Sequence, residues 1–424
     1  MADLLIRGGR IVDPSQALDA RRDLRVRSGL IAEIAETLVP AEGERVFEAD
    51  GCVIAPGFID MHVHLREPGY AYKETIASGT HAAVRGGFTA VACMPNTNPA
   101  LDDPDVLAAL AALVRRDSRC RVYPIGAITR ARAGTVSTDA RALARAGAVA
   151  FSDDGNTIMN ARVVRDAAIA ARHVPGVFIS HAEDDHLKGN AVMTLGETSR
   201  ALGVPGVPSI AEDVIVARDL LISRDTGKPW HVAHASTAGT IELIRGARAE
   251  GIAATVEATP HHLLCTDRDI AELGGAAKVN PPLRGEDDAR ALRDAVRDGT
   301  IDAFASDHAP HTKEEKSTEL AHAAVGFSGL EIAVGAYALA VPDLPLARFV
   351  ELLSCNPARI LAVDGGTLRV GAVADVTIFA DREWTVDACK FASKGKVTPF
   401  DGKTLPRSIV ATIVGGQVAF EASA

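Results

Sequence analysis

No uncharged apolar run in this chain approaches the roughly 18 residues that a membrane-spanning helix needs. The N-terminal "MADLLIRGGRIVDP" has no basic segment leading into a long apolar one, so no export signal is expected and the cytosol is the expected compartment. Cysteine is sparse: Cys52, Cys93, Cys120, Cys265, Cys355 and Cys389 are scattered and never fall as C-x-x-C. In so long a chain they read as reduced core residues, not as a disulfide framework. Positive charge is also short, with a net charge of −10, which argues against the basic face of a nucleic-acid binder. Neither GxGxxG nor GxxxxGK[ST] follows any candidate strand, so no phosphate-binding loop is indicated.

What remains is an ordinary globular composition, 47% hydrophobic and 24% charged over 424 residues. That is enough chain for a barrel-sized domain and a smaller companion. Both ends read as β structure. "LLIRGGRIVDP" and "DLRVRSGLIAEIAE" alternate apolar and polar residues, as do "GAVADVTIFA" and "SIVATIVGGQVAFEA" near the C-terminus. Between them, eight short apolar runs ("VIAPGFID", "FTAVACM", "RVYPIGAI", "AVAFSDD", "GVFISHAE", "PWHVAHAS", "AATVEATPHH", "IDAFASDHA") alternate with alanine-rich helical stretches. This pattern predicts an α/β fold, a parallel (β/α)8 barrel over 56–364. A small β-sandwich domain composed of 1–55 and 365–424 is expected beside it.

In such a barrel the functional face lies at the strand C-termini. His62 and His64 end the first strand, Asn96 follows the second, and Asp153 and Asp154 the fourth. His181 follows the fifth, His234 the sixth and Asp307 the eighth. Each alone is weak. An H-x-H pair is a poor motif, a lone histidine is more often a hydrogen-bonded core residue, and "SDDG" is more often a turn. Together, four histidines and two carboxylates from five strand ends converge on one pocket, and burying them uncompensated would be costly. One or two divalent cations would offset that cost, and imidazole with carboxylate suits zinc in particular.

The motifs "DMHVHLREPG", "MPNTNP", "FSDDG", "ISHAED", "HVAHAST", "EATPHHL", "VNPPLR" and "SDHAPHTKEEK" together resemble type I dihydroorotases of the amidohydrolase superfamily. The resemblance runs from about Leu5 to Phe420. It implies a zinc-dependent interconversion of N-carbamoyl-L-aspartate and L-dihydroorotate in pyrimidine biosynthesis. It also implies that His62, His64 and Asp307 hold a first zinc, that His181 and His234 hold a second, and that Asp154 bridges them. Asp153 is left as a turn residue. The strand-4 segment "GAVAFSDDG" has no lysine where many relatives place a carboxylated one, which disfavours hydantoinase. Asp307 matches the catalytic proton carrier. His64, Arg66, Asn96, Asn280 and His311 match substrate-binding positions, with backbone contacts expected from Val325 and Gly326. Two departures stand out: Ala324 and Val325 replace the aromatic or proline residue usual before that glycine, and "KGKVTPF" lacks an asparagine common in the family.

Other notable residues take simpler expectations. Lys73 and Glu74 read as a structural pair, His308 as a residue that orients Asp307 or packs, and His261 and His262 as supporting residues. His81, His173, His186, His231 and His322 default to surface or core, and "TKEEKSTELAH" to a solvated segment able to cover the site. The alternatives are another cyclic amidase, such as an allantoinase or hydantoinase, and a non-catalytic dihydroorotase-like scaffold of aspartate transcarbamoylase. The resemblance leaves open one zinc or two, a homodimer, and a complex with that transcarbamoylase.

Overall fold

The eight apolar runs become eight parallel strands in the computed structural model, which describes residues 3–423. In chain order these are β1 (Phe58–Val63), β2 (Phe88–Cys93), β3 (Arg121–Gly126), β4 (Ala150–Ser152), β5 (Phe178–Ser180), β6 (Trp230–Val232), β7 (Ala254–Ala258) and β8 (Ala303–Phe304). Each pairs in parallel with the next. Every residue of β1 and β2 is buried, because helices cover the outside of a parallel barrel while side chains fill its interior. Between the strands run α1 (Ile76–Arg85), α2 (Pro104–Asp117), α3 (Ala140–Arg145), α4 (Ala161–Ala171), α5 (Ile210–Thr226), α6 (Ala238–Ala249) and α7 (Glu286–Arg297). Local chemistry starts several of them. Thr75 and Ser78 form a capping box on α1, and Asp103 caps α2 with Pro104 at its first turn.

The first and last barrel strands share no ladder, and the seam between them closes by other means. Val63 bridges His308, and His64 N donates to His308 O at 2.8 Å. The Asp60 carboxylate accepts from Ser306 N and from His62 N, each at 3.1 Å. After β8, α8 (Ala333–Ala340) sends Tyr337 inward. Its hydroxyl donates to Ala305 O at 2.6 Å and lies 3.0 Å from Ala258 O, while its ring stacks on Phe304.

The terminal segments build two sheets beside the barrel. One has four strands from the N-terminal segment. The other has six, in which Val376–Ala380 joins Val53–Pro56 to Ser408–Val414, so both chain ends share it. Leu4, Ile6, Leu24 and Ile31 from the first sheet meet Ile11, Ile54, Ile378 and Ile413 from the second in one apolar core, giving a sandwich. Within 365–424 the stretch 384–405 does not join that core: Val386, Phe391, Phe400 and Leu405 pack on Phe327 and Ile332 at the barrel. Among the described residues no helix is long and apolar enough to cross a membrane.

The seam makes Asp60 a stability determinant. Asp60→Ala strands the Ser306 and His62 N–H groups in a dry interior, at about 1–3 kcal/mol for each orphaned donor. Chemical denaturation should show a loss of that order, with Asp60→Asn, which keeps an acceptor oxygen, losing less. An alanine variant as stable as the parent would mean that the seam closes without this carboxylate.

Candidate metal centre and substrate pocket

At the strand C-termini, His62 and His64 point to one face of β1, as residues i and i+2 of a strand must. Each has its outer nitrogen engaged. His62 Nδ1 lies 2.7 Å from Glu257 Oε1, and His64 Nδ1 lies 2.9 Å from Asn96 Oδ1. Carboxylate and amide oxygens only accept, so both imidazoles carry a proton on Nδ1 and turn Nε2 inward. Asp154, after β4, lies among those inward-facing nitrogens. Its Oδ1 is 3.4 Å from His62 Nε2, 3.6 Å from His181 Nδ1 and 3.5 Å from His234 Nε2, and its Oδ2 is 3.6 Å from His64 Nε2. Asp307 completes the ring, with Oδ1 3.1 Å from His64 Nε2 and 3.5 Å from His62 Nε2.

Two groups of donors result, His62–His64–Asp154 and Asp154–His181–His234, each with its ligand atoms within 4.8 Å of one another. Asp154 belongs to both. Burial opposes charge on this aspartate, but His62, His181 and His234 more than offset it and hold the carboxyl well below its usual range. Asp307 is likewise held low, burial being outweighed by His62, His64 and His234. His62 Nε2, Asp154 Oδ1 and His234 Nδ1 are buried with no protein partner. Buried nitrogen lone pairs and carboxylate oxygens aimed at one another are what a divalent cation satisfies, so this donor set fits one or two such ions.

The backbone around the centre is itself unusual. Arg66, His234 and Asp307 have φ of +64°, +33° and +48°, a region that costs a non-glycine residue of order 1–3 kcal/mol. Such strain persists only where surrounding contacts impose it, and here it aims side chains into the pocket. No sequence pattern marks these positions.

A cavity of about 350 Å³ opens beside the donor cluster, and Arg66, Asn96, Asn280, His311, Val325 and Gly326 all line it. Arg66 is nearly fully buried. Its Nε donates to Pro310 O at 3.3 Å and its Nη2 lies 3.2 Å from His311 Nε2. Burial lowers the guanidinium only to about 10, so it stays charged at neutral pH. His311 is pushed down to about 3 by burial and by the Arg66 and Lys73 charges, and so is neutral. With its side-chain amide turned so that nitrogen and oxygen both find partners, Asn280 donates to Val279 O at 3.0 Å and accepts from Lys188 Nζ at 2.6 Å. Gly326 has φ +108°, and a Cβ there would lie 2.5 Å from that of Ala309, so only glycine fits.

Some expectations need correction. Lys73 and Glu74 are not paired with each other. Lys73 lines the cavity and pairs with Glu315 at 2.8 Å. Glu74 is buried, 3.3 Å from His308 Nε2, and accepts from Lys394 N at 3.1 Å. His308 does not orient Asp307 by a hydrogen bond; its Nδ1 accepts from Gly329 N at 3.1 Å. His231 supports the site from the core, with Nε2 3.1 Å from Glu257 Oε2. Asp153 accepts from the Ile128 and Thr129 amides at 2.9 Å, as a turn residue would. Glu257 was missed by sequence reasoning. A lone glutamate inside the apolar strand "ATVEA" was the available signal, since a buried carboxylate demands partners.

A family model described as Dihydro-orotase-like matches residues 51–240. A dihydroorotase of Syntrophus aciditrophicus is 44% identical over 99% of this chain and 99% of that protein. One of Pelotomaculum thermopropionicum is 46% identical over 99% of this chain and 98% of that protein. Among solved structures, an L-hydantoinase (dihydropyrimidinase) from Arthrobacter aurescens superposes with a TM-score of 0.89 at 26% identity, over 100% of this chain and 97% of that one.

The two adjacent aspartates should separate cleanly in metal analysis. Asp154→Ala should strip most bound metal, whereas Asp153→Ala should retain it and lose stability instead. Reconstitution should be indifferent to bicarbonate, since no lysine carbamate is needed. Metal loss in the opposite order, or a bicarbonate requirement, would reject Asp154 as the shared ligand.

Proposed function

The chain belongs to the dihydroorotase family, and we propose that it interconverts L-dihydroorotate and N-carbamoyl-L-aspartate in pyrimidine synthesis, with two zinc ions held around Asp154. The observation that carries this reading is the meeting of both donor groups on Asp154 within one cavity that also contains the buried Arg66. His62, His64 and Asp307 would hold one ion and His181 and His234 the other. Zinc, when bound, lowers the pKa of water toward about 7 and polarises a carbonyl oxygen.

The side chains supply the rest. Asp307 is ionised at neutral pH and borders the donor cluster, its Oδ1 3.1 Å from His64 Nε2. It accepts a proton from the attacking water and returns it to the ring nitrogen as the cyclic amide C–N bond breaks. In the reverse direction it takes a proton from the ureido nitrogen as that nitrogen closes on the side-chain carboxyl carbon. It returns that proton to the departing carboxyl oxygen, which takes a second proton from solvent and leaves as water as its C–O bond breaks. Arg66 offers a planar fork to the ring carboxylate. Neutral His311 and the amides of Asn96 and Asn280 fix the substrate without adding charge. Glu257 and Asn96 accept from Nδ1 of His62 and His64, so Nε2 is the nitrogen each ring offers to an ion. The absence of lysine from the β4 end "SDDG" disfavours the hydantoinase alternative. Retention of all six donors disfavours a non-catalytic scaffold.

Turnover of dihydroorotate and of carbamoyl aspartate should vanish on chelation and return with zinc. Asp307→Asn, which keeps shape but not basicity, should lower kcat by about 10²–10⁴-fold in a folded protein. Near-normal turnover at intact metal content would remove Asp307 from proton transfer.

Arg66 is tested by substrate. Dihydrouracil is the same ring without the carboxylate and should be a poor substrate. A charge-assisted hydrogen bond is worth roughly 1.5–3 kcal/mol, so Arg66→Met should cost at least about tenfold in kcat/KM for dihydroorotate and little for dihydrouracil. An equal proportional loss on both would place carboxylate recognition elsewhere.

A further inference from the structure

One cation in the cavity has no place in the chemistry described so far. Arg132 lies in the loop after β3, in a short turn where Ala131 and Arg132 have φ of +50° and +56°. It joins Arg66, His234 and Asp307 as the fourth non-glycine residue of positive φ that lines the cavity. Its Nη2 donates to the main-chain oxygen of Asp154 at 2.8 Å. Its Nε is buried without a partner, and no carboxylate among the described residues forms an ion pair with it. The adjacent carboxylate of Asp153 is taken up by the amides of Ile128 and Thr129.

Its neighbour on the cavity wall is Asn96. A Cβ built on Gly155 would lie 3.2 Å from Arg132 Nη2 and 3.4 Å from Asn96 Nδ2. The two donor groups therefore stand side by side across a glycine, which has no side chain to screen them from a ligand. The oxygen of Asn96 is already engaged by His64 Nδ1, so its amide nitrogen is the end that remains for a ligand. An unpaired guanidinium beside a free amide in a cavity suits an anion.

We propose that Arg132 is a second substrate-binding arginine. Together with Asn96 it takes the substrate carboxylate from the β3–β4 side, while Arg66 approaches from the seam between β1 and β8. The proposal rests on the dihydroorotase reading. The rival role is purely positional: through the Asp154 carbonyl, Arg132 would set the shared metal ligand and touch no substrate.

The two roles separate in steady-state kinetics of the full-length, zinc-loaded protein. Removing a contact made equally to bound substrate and transition state raises KM more than it lowers kcat. Arg132→Leu should therefore raise KM for dihydroorotate at least about tenfold, as expected for a charge-assisted contact, with zinc content equal to that of the parent. The inhibition constant of orotate, a ring with the same carboxylate, should rise in proportion. Arg132→Lys, which restores charge without the fork, should recover part of both, and it serves if the leucine variant fails to fold. A depressed kcat at unchanged KM, or loss of zinc, would overturn the proposal in favour of the positional role. Unchanged kinetics would remove Arg132 altogether. Failure of the parent protein to turn over dihydroorotate would refute the underlying assignment, and this inference with it.

Discussion

The site depends on how the barrel closes. β1 carries His62 and leads into His64 and Arg66, while β8 leads into Asp307 and His311, yet these strands form no continuous ladder. The Asp60 carboxylate on the Ser306 amide and the backbone bond from His64 to His308 hold the two ends together. Both contacts flank the residues whose donor atoms gather around Asp154, so closing the barrel also brings those donors together. A slip of one residue at the seam would turn His62 and His64 away from the centre, since side chains alternate along a strand.

Charge organisation follows from that geometry. Asp154 faces four imidazoles at 3.4–3.6 Å, and an outer layer engages the far nitrogens of two of them, His62 and His64. Glu257 serves twice: one oxygen receives the His62 Nδ1 proton and the main-chain N–H of His234, and the other faces His231. Burial alone would disfavour so many polar groups. They persist because Glu257 and Asn96 engage the outer nitrogens of His62 and His64, while the unpartnered His62 Nε2, Asp154 Oδ1 and His234 Nδ1 suit a cation.

The C-terminal segment contributes as well. Ser393 and Lys394 reach Glu74, which also faces His308, and Glu331 accepts from the Ala392 amide at 2.8 Å. The stretch 384–405 thus ties the start of α1 to the residues that follow β8, next to the seam. The sandwich anchors this segment on one side and the barrel on the other.

The eight apolar runs, their alternation with helices, and the polar residues at each strand end were legible in the sequence, because burial on both strand faces leaves an unbroken apolar signature. So were His62, His64, Asp154, His181, His234 and Asp307 as residues that would meet, since a parallel barrel gathers its strand C-termini by construction. Less local features were not legible. That Lys73 reaches Glu315 and Glu74 reaches His308 depends on loops whose paths no periodicity records. The roles of Glu257 and His231 required knowing which faces of β6 and β7 adjoin β1. The positive φ at Arg66, Arg132, His234 and Asp307 is imposed by contacts from distant segments on residues with no intrinsic preference for it. Sequence determined which chemistry could gather at the barrel mouth, because strand order and alternation are local properties. Tertiary structure decided which nitrogen, oxygen and guanidinium face inward, because that depends on partners tens to hundreds of residues away.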